Sequence, residues 1–152
     1  MVEEGKPAPA FTLTNEDGES VSLESLRGHP VVLYFYPKDD TPGCTVQACG
    51  IRDEFAAFRD KGAVVLGVSP DSEASHQRFK DKYHLPFTLL ADPKHEVAER
   101  YGVWVEKTRD GKRSMGIERS TFVIGADGTV TKVMRRVDPQ THTGDVLAAL
   151  PG

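Results

Sequence analysis

The chain has 152 residues, of which 38% are hydrophobic and 28% charged, and its formal net charge is −4. This length predicts one domain over residues 1–152, and the composition is typical of a globular protein. The acidic balance argues against a nucleic-acid partner or an anionic membrane surface, and no apolar run reaches the roughly 20 residues that cross a bilayer. The first residues lack the basic start and apolar block of a secretory signal, so a cytoplasmic location is expected.

The N-terminal third predicts a hairpin and then a buried strand. Residues 11–13 and 20–23 flank the turn-rich segment Asn15-Glu16-Asp17-Gly18, a pattern typical of a short hairpin. The run 31–36 is uninterrupted and β-prone, which predicts a strand covered on both faces.

The next segment predicts a long helix followed by a second strand. Thr41-Pro42 opens the helix, Gly62 ends it, and its apolar residues recur at intervals of three to four: Ile51, Phe55 and Phe58. Residues 63–68 form a second buried strand. A strand, helix, strand unit of this length predicts a parallel crossover connection.

The second half adds three helices and another hairpin. We expect the helices to begin at Ser72, at Asp92 and at Asp145. The β-prone runs 120–124 and 129–134 pair across a turn that contains two glycines. Parallel crossovers followed by an antiparallel hairpin and a last helix make an α/β protein with a mixed sheet flanked by helices.

The cysteines carry the chemistry. The chain has only two, Cys44 and Cys49, and Cys44 lies where the long helix should begin. A thiol at a helix N-terminus meets the positive end of the macrodipole and unbonded backbone N–H groups, and both favour the nucleophilic thiolate. Two cysteines in a cytoplasmic protein more often do redox work than crosslink the fold. The alternative for Cys44 is a buried structural thiol.

The segment from Pro37 to Cys44 resembles the peroxiredoxin signature, a Pro, then a Thr four residues on, then the reactive Cys. Those positions are Pro37, Thr41 and Cys44 here. The continuation Thr45-Val46-Gln47-Ala48-Cys49-Gly50-Ile51-Arg52-Asp53 is similar to the peroxiredoxin Q branch, also called the bacterioferritin comigratory protein type. The resemblance implies a thioredoxin-like fold with a mixed central sheet and an N-terminal hairpin extension.

The resemblance also implies a reaction cycle. The Cys44 thiolate would attack hydrogen peroxide or an organic hydroperoxide and become a sulfenic acid, which Cys49 would resolve as an intramolecular disulfide. Thioredoxin or a similar dithiol protein would recycle the enzyme, with no cofactor and no metal. Because the resolving cysteine lies in the same chain, a monomer is expected. The alternative for Cys49 is a small core residue.

Three further residues match the family's active site. Thr41 would contact peroxide, or cap the helix by accepting from the Cys44 amide. Pro37 would shield the thiolate pocket from water, or would only end the strand. Arg119 precedes the run 120–124, as the family's arginine does, and would favour the thiolate and neutralise developing charge. Its alternative is an exposed arginine at a strand edge.

The sequence also offers alternatives to a peroxidase. A thioredoxin-like disulfide reductase or carrier usually has C-x-x-C, whereas the spacing here is C-x-x-x-x-C. A redox sensor or holdase is compatible as a further activity. The five histidines are scattered and no two have the spacing of metal ligands, so a metal site is not expected. Gln47 stands where many members of the resembled family have Glu. For Trp104 two roles are open: it would line the mouth of the pocket or cover the core.

Overall fold

The computed structural model describes residues 2–150, so the two ends of the predicted domain 1–152 lie outside the described residues. The strands are β1 (Thr12–Asn15), β2 (Ser20–Ser22), β3 (Val31–Phe35), β4 (Val64–Ser69), β5 (Thr88–Ala91), β6 (Trp104–Arg109), β7 (Lys112–Ile117), β8 (Ser120–Ile124) and β9 (Val130–Arg135). The helices are α1 (Pro42–Asp53), α2 (Phe55–Asp60), α3 (Glu73–Tyr83), α4 (Glu96–Arg100) and α5 (His142–Ala149). Among these, no helix has the length and apolar character needed to cross a membrane.

Seven strands form one sheet in the order β2-β1-β5-β4-β3-β8-β9. The strands β3, β4 and β5 are parallel, whereas β8 is antiparallel to β3 and to β9. The N-terminal hairpin of β1 and β2 joins the sheet through β5. Both predicted hairpins and the parallel pairing of β3 with β4 are confirmed, and so is the mixed sheet.

Both faces of the sheet are covered, as the uninterrupted apolar run in β3 predicts. On one face the core is built around Leu33, Phe35 and Phe122. On the other face Val32 and Tyr34 pack with residues of α1, α2, α3 and α5, namely Cys44, Ala48, Ile51, Phe58, Phe79 and Val146. The candidate nucleophile therefore belongs to the helix-covered side of the core.

The long helix predicted from Thr41 to Gly62 is two helices. The backbone of Glu54 leaves the helical region at φ −109° and ψ 16°, which separates α1 from α2. The Glu54 N–H is shared between the carbonyls of Gly50 and Ile51, so the break keeps its hydrogen bonds. Ile51 and Phe58 are buried on the same side despite the break. Gly62 adopts φ +70° and ends α2, as predicted.

Two helix starts also differ from the prediction. The expected start at Asp92 is wrong, because Asp92-Pro93 forms a turn and α4 begins at Glu96. The Asp92 carboxylate accepts from the N–H groups of Val97 and Ala98 and so caps the helix from outside. The last helix begins at His142, upstream of the expected Asp145.

The hairpin of β6 and β7 was not predicted. It is a separate two-stranded sheet whose turn contains Asp110 and Gly111, both at positive φ. Trp104, at the start of β6, stacks on His95 with 3.9 Å between ring centroids and packs against the core. This position agrees with the core-covering alternative for Trp104.

Candidate active site

The register of the sheet brings together two residues that are far apart in sequence. β8 runs antiparallel to β3, and Phe35 at the end of β3 pairs with Ser120 at the start of β8. The chain leaving β3 leads into the loop before α1, and Arg119 immediately precedes β8. The first turn of α1 and Arg119 therefore meet at one edge of the sheet.

Cys44 lies in the first turn of α1, and only 2% of its surface is exposed. The first backbone hydrogen bond of the helix runs from the Thr45 N–H to the Thr41 carbonyl at 2.8 Å. Within the described residues, no acceptor takes the N–H groups of Gly43 or Cys44. These two donors belong to the turn that carries Cys44, and the N-terminal end of a helix dipole favours negative charge.

Arg119 supplies the cation beside Cys44. Its Nη1 lies 3.4 Å from the Cys44 Sγ and 2.7 Å from the Gln47 Oε1. A Cβ atom at Gly43 would stand 3.1 Å from the Arg119 Nη2, so glycine at this position gives the guanidinium room. The arrangement puts a positive charge directly against the sulfur.

Gln47 contacts Arg119, a role that the sequence did not predict. Its side chain is fully buried, and its Nε2 has no partner among the described residues. The spacing of Cys44, Gln47 and Ile51 places all three on one helix face, and that spacing was the available signal. Gln47 holds the guanidinium of Arg119 from the helix side.

Thr41 occupies the N-cap position of α1, and Pro42 is the first helical residue, as predicted. The alternative role for Thr41, a capping bond from the Cys44 amide, is wrong, because the Thr41 hydroxyl makes no side-chain cap. It donates instead to the Lys38 carbonyl at 2.8 Å. Since the hydroxyl hydrogen points back into the loop, the lone pairs of the oxygen are left to accept from another group.

Cys49 lies in the same helix as Cys44, and both cysteines are free thiols. Cys49 is half-buried and lines a groove between α1 and the start of α5, together with Val46, Pro139 and Leu147. Pro37 is half-buried in the loop between β3 and α1. The structure thus gathers Cys44, Arg119 and Thr41 at the start of α1, with Cys49 further along it.

The charges of Arg119 and Cys44 act on three titratable groups near the site. His142 is buried, and its Nε2 lies 2.6 Å from the Thr121 Oγ1. Burial and then the charge of Arg119 lower the pKa of His142 to about 4, so the ring is neutral near pH 7. Burial and Arg119 also lower the pKa of Lys107, on β6. Burial, followed by the charge on Cys44, raises the pKa of Tyr34.

Glu118 precedes Arg119 in the chain, and its negative charge is paired with two other arginines. Its carboxylate lies 3.7 Å from the Arg135 Nη1 and 3.6 Å from the Arg136 Nε. Its backbone N–H donates to the Val103 carbonyl, whereas the Arg119 carbonyl accepts from the Val137 N–H. Successive residues thus have their side chains in different surroundings.

The chain is similar to known proteins over most of its length. The AhpC/TSA family model matches residues 4–133. Peroxiredoxin Bcp of Bacillus subtilis is 47% identical over 149 residues, which cover 98% of this chain and 95% of that protein. Peroxiredoxin Bcp of Escherichia coli is 46% identical over 143 residues, which cover 94% of this chain and 92% of that protein.

Solved structures show the same fold. A variant of Xanthomonas campestris peroxiredoxin Q superposes with a TM-score of 0.91 at 37% identity, covering 97% of each chain. A variant of Xylella fastidiosa PrxQ gives a TM-score of 0.92 at 32% identity, covering 97% of this chain and 94% of that one. The bacterioferritin comigratory protein of Xanthomonas campestris, studied for alkyl peroxide reduction, gives 0.90 at 36% identity, covering 97% of this chain and 96% of that one. The predicted thioredoxin-like fold is confirmed.

Proposed function

Because this chain belongs to the AhpC/TSA family and, within it, to the peroxiredoxin Q (Bcp) branch, we propose that Cys44 is the residue at which its thiol-dependent peroxidase activity takes place. The observation that carries the proposal is the position of the Cys44 Sγ, in the first turn of α1 and 3.4 Å from the Arg119 Nη1. The proposed substrates are hydrogen peroxide and organic hydroperoxides.

In the first step the Cys44 thiolate attacks one oxygen of the peroxide and the O–O bond breaks. The sulfur loses two electrons and becomes a sulfenic acid, and the departing oxygen takes a proton to leave as water or an alcohol. Negative charge moves from the sulfur to the departing oxygen as the bond breaks. Arg119 and the N–H groups of Gly43 and Cys44 are the groups positioned to stabilise that charge.

Thr41 and Pro37 complete the proposed site. The Thr41 hydroxyl donates to the Lys38 carbonyl, so its oxygen is available to accept a hydrogen bond from the O–H group of a peroxide. Pro37 has no N–H group and is half-buried in the same loop, which suits a residue that limits the access of water.

In the second step the Cys49 thiol attacks the Cys44 sulfur, water leaves, and an intramolecular disulfide forms. A dithiol protein of the thioredoxin type then reduces the disulfide by two thiol–disulfide exchanges. We further propose that the enzyme works as a monomer, since both cysteines of the cycle are in the same chain. The proposal also keeps a single domain and a cytoplasmic location.

The test separates the roles of the two cysteines. We expect Cys44→Ser to abolish peroxide reduction, because a hydroxyl does not form a nucleophilic anion near neutral pH. Cys49→Ser should consume about one equivalent of peroxide, accumulate a sulfenic acid that dimedone traps, and lose turnover coupled to thioredoxin. Peroxidase activity retained in Cys44→Ser would exclude Cys44 as the peroxidatic residue.

A paired assay tests the alternative of a thioredoxin-like disulfide reductase or carrier. Such a protein should reduce insulin disulfides in the absence of peroxide. The proposed peroxidase should consume peroxide with thioredoxin and leave insulin oxidised when thioredoxin is omitted. Faster reduction of insulin than of peroxide would favour the alternative.

A further inference from the structure

The loop that leads into Thr41 rests on a buried polar network, which we call the Asp39 network: Tyr36, Asp39, Asp71, Ser75 and His76. The Tyr36 hydroxyl donates to one Asp39 carboxylate oxygen at 2.5 Å, and the Ser75 hydroxyl donates to the other at 2.8 Å. The Asp39 N–H donates to the Asp71 carboxylate at 2.8 Å. Backbone and side chain of Asp39 are therefore both held.

His76 ties this network to the core. Its Nδ1 lies 2.7 Å from the Asp39 Oδ2, and its Nε2 lies 2.8 Å from the Leu90 carbonyl oxygen. A carbonyl oxygen only accepts, so Nε2 carries a hydrogen and donates to it. The distance from Nδ1 to the carboxylate is that of a hydrogen bond, so both ring nitrogens have partners. His76 has no exposed surface.

The ligand atoms of Asp39, Asp71 and His76 lie within 4.8 Å of one another, a spacing also found around cations. Here the hydrogen bonds of Ser75, Ser69 and the Asp39 N–H already use these atoms. The carboxylate oxygens of Asp39 and Asp71 therefore have hydrogen-bond partners within the protein.

The next residue is held by the same helix. Asp40 adopts φ 58°, a left-handed conformation that is unfavourable for a residue with a Cβ. Its carboxylate accepts from the Lys82 Nζ at 2.7 Å and from the Tyr83 hydroxyl at 2.8 Å. Ser75, His76, Lys82 and Tyr83 all belong to α3, so this helix holds two consecutive loop residues immediately before Thr41.

We propose that Asp39 is a positioning residue for peroxide reduction, acting through the loop on Thr41; this inference rests on the function proposed above for Cys44. The link is the Lys38 carbonyl, which accepts from the Thr41 hydroxyl and adjoins Asp39 in the chain. Fixing Asp39 on α3 fixes that carbonyl. The carbonyl sets the direction of the Thr41 hydroxyl, and hence the place where its oxygen can receive a peroxide.

The test is Asp39→Asn, which keeps the shape of the side chain but replaces one accepting oxygen with an NH2 group. That NH2 group would face a hydroxyl that now donates to Asp39. We expect the rate constant for oxidation of reduced Cys44 by hydrogen peroxide, measured by stopped flow, to fall about 10- to 100-fold, as for a small misplacement of a positioning group. The pH profile of Cys44 alkylation by iodoacetamide should match wild type, because Arg119 and the start of α1 are untouched.

Glu16→Gln is the matched control. Glu16 is also a buried carboxylate bound to α3, through Lys80, and it accepts from the Leu89 N–H. Within residues 2–150 it makes no hydrogen bond to the loop before Thr41. We expect this variant to lower the melting temperature and to keep the wild-type rate constant with peroxide. An equal loss of rate in Glu16→Gln would overturn the proposal, since general loosening of α3 would then explain both variants.

Ser75→Ala covers the case in which Asp39→Asn does not fold. It removes one donor to Asp39 and leaves His76 in place, and we expect a fall of about threefold in the peroxide rate constant with unchanged alkylation. A wild-type peroxide rate in a folded Asp39→Asn, or in Ser75→Ala where Asp39→Asn does not fold, would overturn the proposal. The assignment of Cys44 is judged separately, on whether Cys44→Ser loses the reaction altogether.

Discussion

Arg119 uses one nitrogen for two acceptors, and this sharing makes the charge of residue 47 important. The Nη1 lies 3.4 Å from the Cys44 sulfur and 2.7 Å from the Gln47 amide oxygen. A neutral amide orients the guanidinium without competing for its charge. A carboxylate at the same position would form an ion pair with Arg119 and would also repel a thiolate.

We therefore predict that Gln47→Glu slows the reaction of Cys44 with peroxide by about tenfold, because the new carboxylate competes for the charge of Arg119. Arg119→Ala should slow it further, because the cation is then missing. The measurement is the peroxide rate constant. Gln47→Met is the control, since it fills the same space without charge. A wild-type rate constant with peroxide in Gln47→Glu would contradict the prediction.

The local signature could be predicted from sequence, whereas the contacts of the site could not. Cys44, Thr41 and Arg119 were identified from a motif and a resemblance. The distance from Arg119 to Cys44 depends on the pairing of Phe35 with Ser120, a non-local register that no spacing along the chain reveals. The direction of the Thr41 hydroxyl depends on the Lys38 carbonyl, so the expected capping bond was a reasonable inference from position that the loop geometry overrides.

At the scale of elements, α1 contains both cysteines in regular helix. Residues five apart on an α-helix have Cα atoms roughly 8–9 Å apart, whereas a disulfide needs them within about 7 Å. The first turn of α1 must therefore open before Cys44 and Cys49 can bond. Opening as far as Gly50 also reaches α5, because a Cβ atom at Gly50 would stand 2.6 Å from the Thr143 Oγ1.

We predict that oxidation by peroxide increases hydrogen exchange in residues 43–50 and slightly lowers the helical circular dichroism, while the buried helix around Phe58 stays protected. Hydrogen exchange measured on the reduced and oxidised protein checks this. Cys49→Ser provides the control, because it reacts with peroxide and cannot form the disulfide. Equal protection of residues 43–50 in both redox states would mean that Cys49 is not the resolving partner.

The central strands were predicted correctly because they are buried along nearly their whole length. The strands β3 and β4 carry uninterrupted apolar residues, and the pattern of each is visible in the sequence. The hairpin of β6 and β7 has mostly exposed side chains, so it offers no apolar alternation and its only local signal is Asp110-Gly111. The break at Glu54 has neither Gly nor Pro to mark it, which is why one helix was expected.

For the whole molecule, the buried neutral His142 links global stability to pH. Burial and the charge of Arg119 lower its pKa from 6.5 to about 4. The unfolded chain therefore binds a proton that the folded protein does not, between those two values. Stability is unaffected by this group above about pH 6.5 and declines as the pH falls toward 4.

We predict that His142 alone accounts for a loss of about 2 kcal/mol in the free energy of unfolding between pH 7.5 and pH 5. Urea unfolding of wild type and of His142→Gln at both values measures it, and the variant should lack this part of the pH dependence whatever its absolute stability. His29→Gln, at an exposed position, should keep the wild-type dependence. The same dependence in His142→Gln would show that other groups cause it.

The opposite surroundings of Glu118 and Arg119 also restrict how this chain can evolve. Between the buried residues Ile117 and Ser120 there is room for two side chains, one held by Arg135 and Arg136 and one beside Cys44. Insertion or deletion of a single residue there would exchange the two surroundings and bring a carboxylate to the thiol. The length of this connection therefore decides which of the two charges reaches the sulfur.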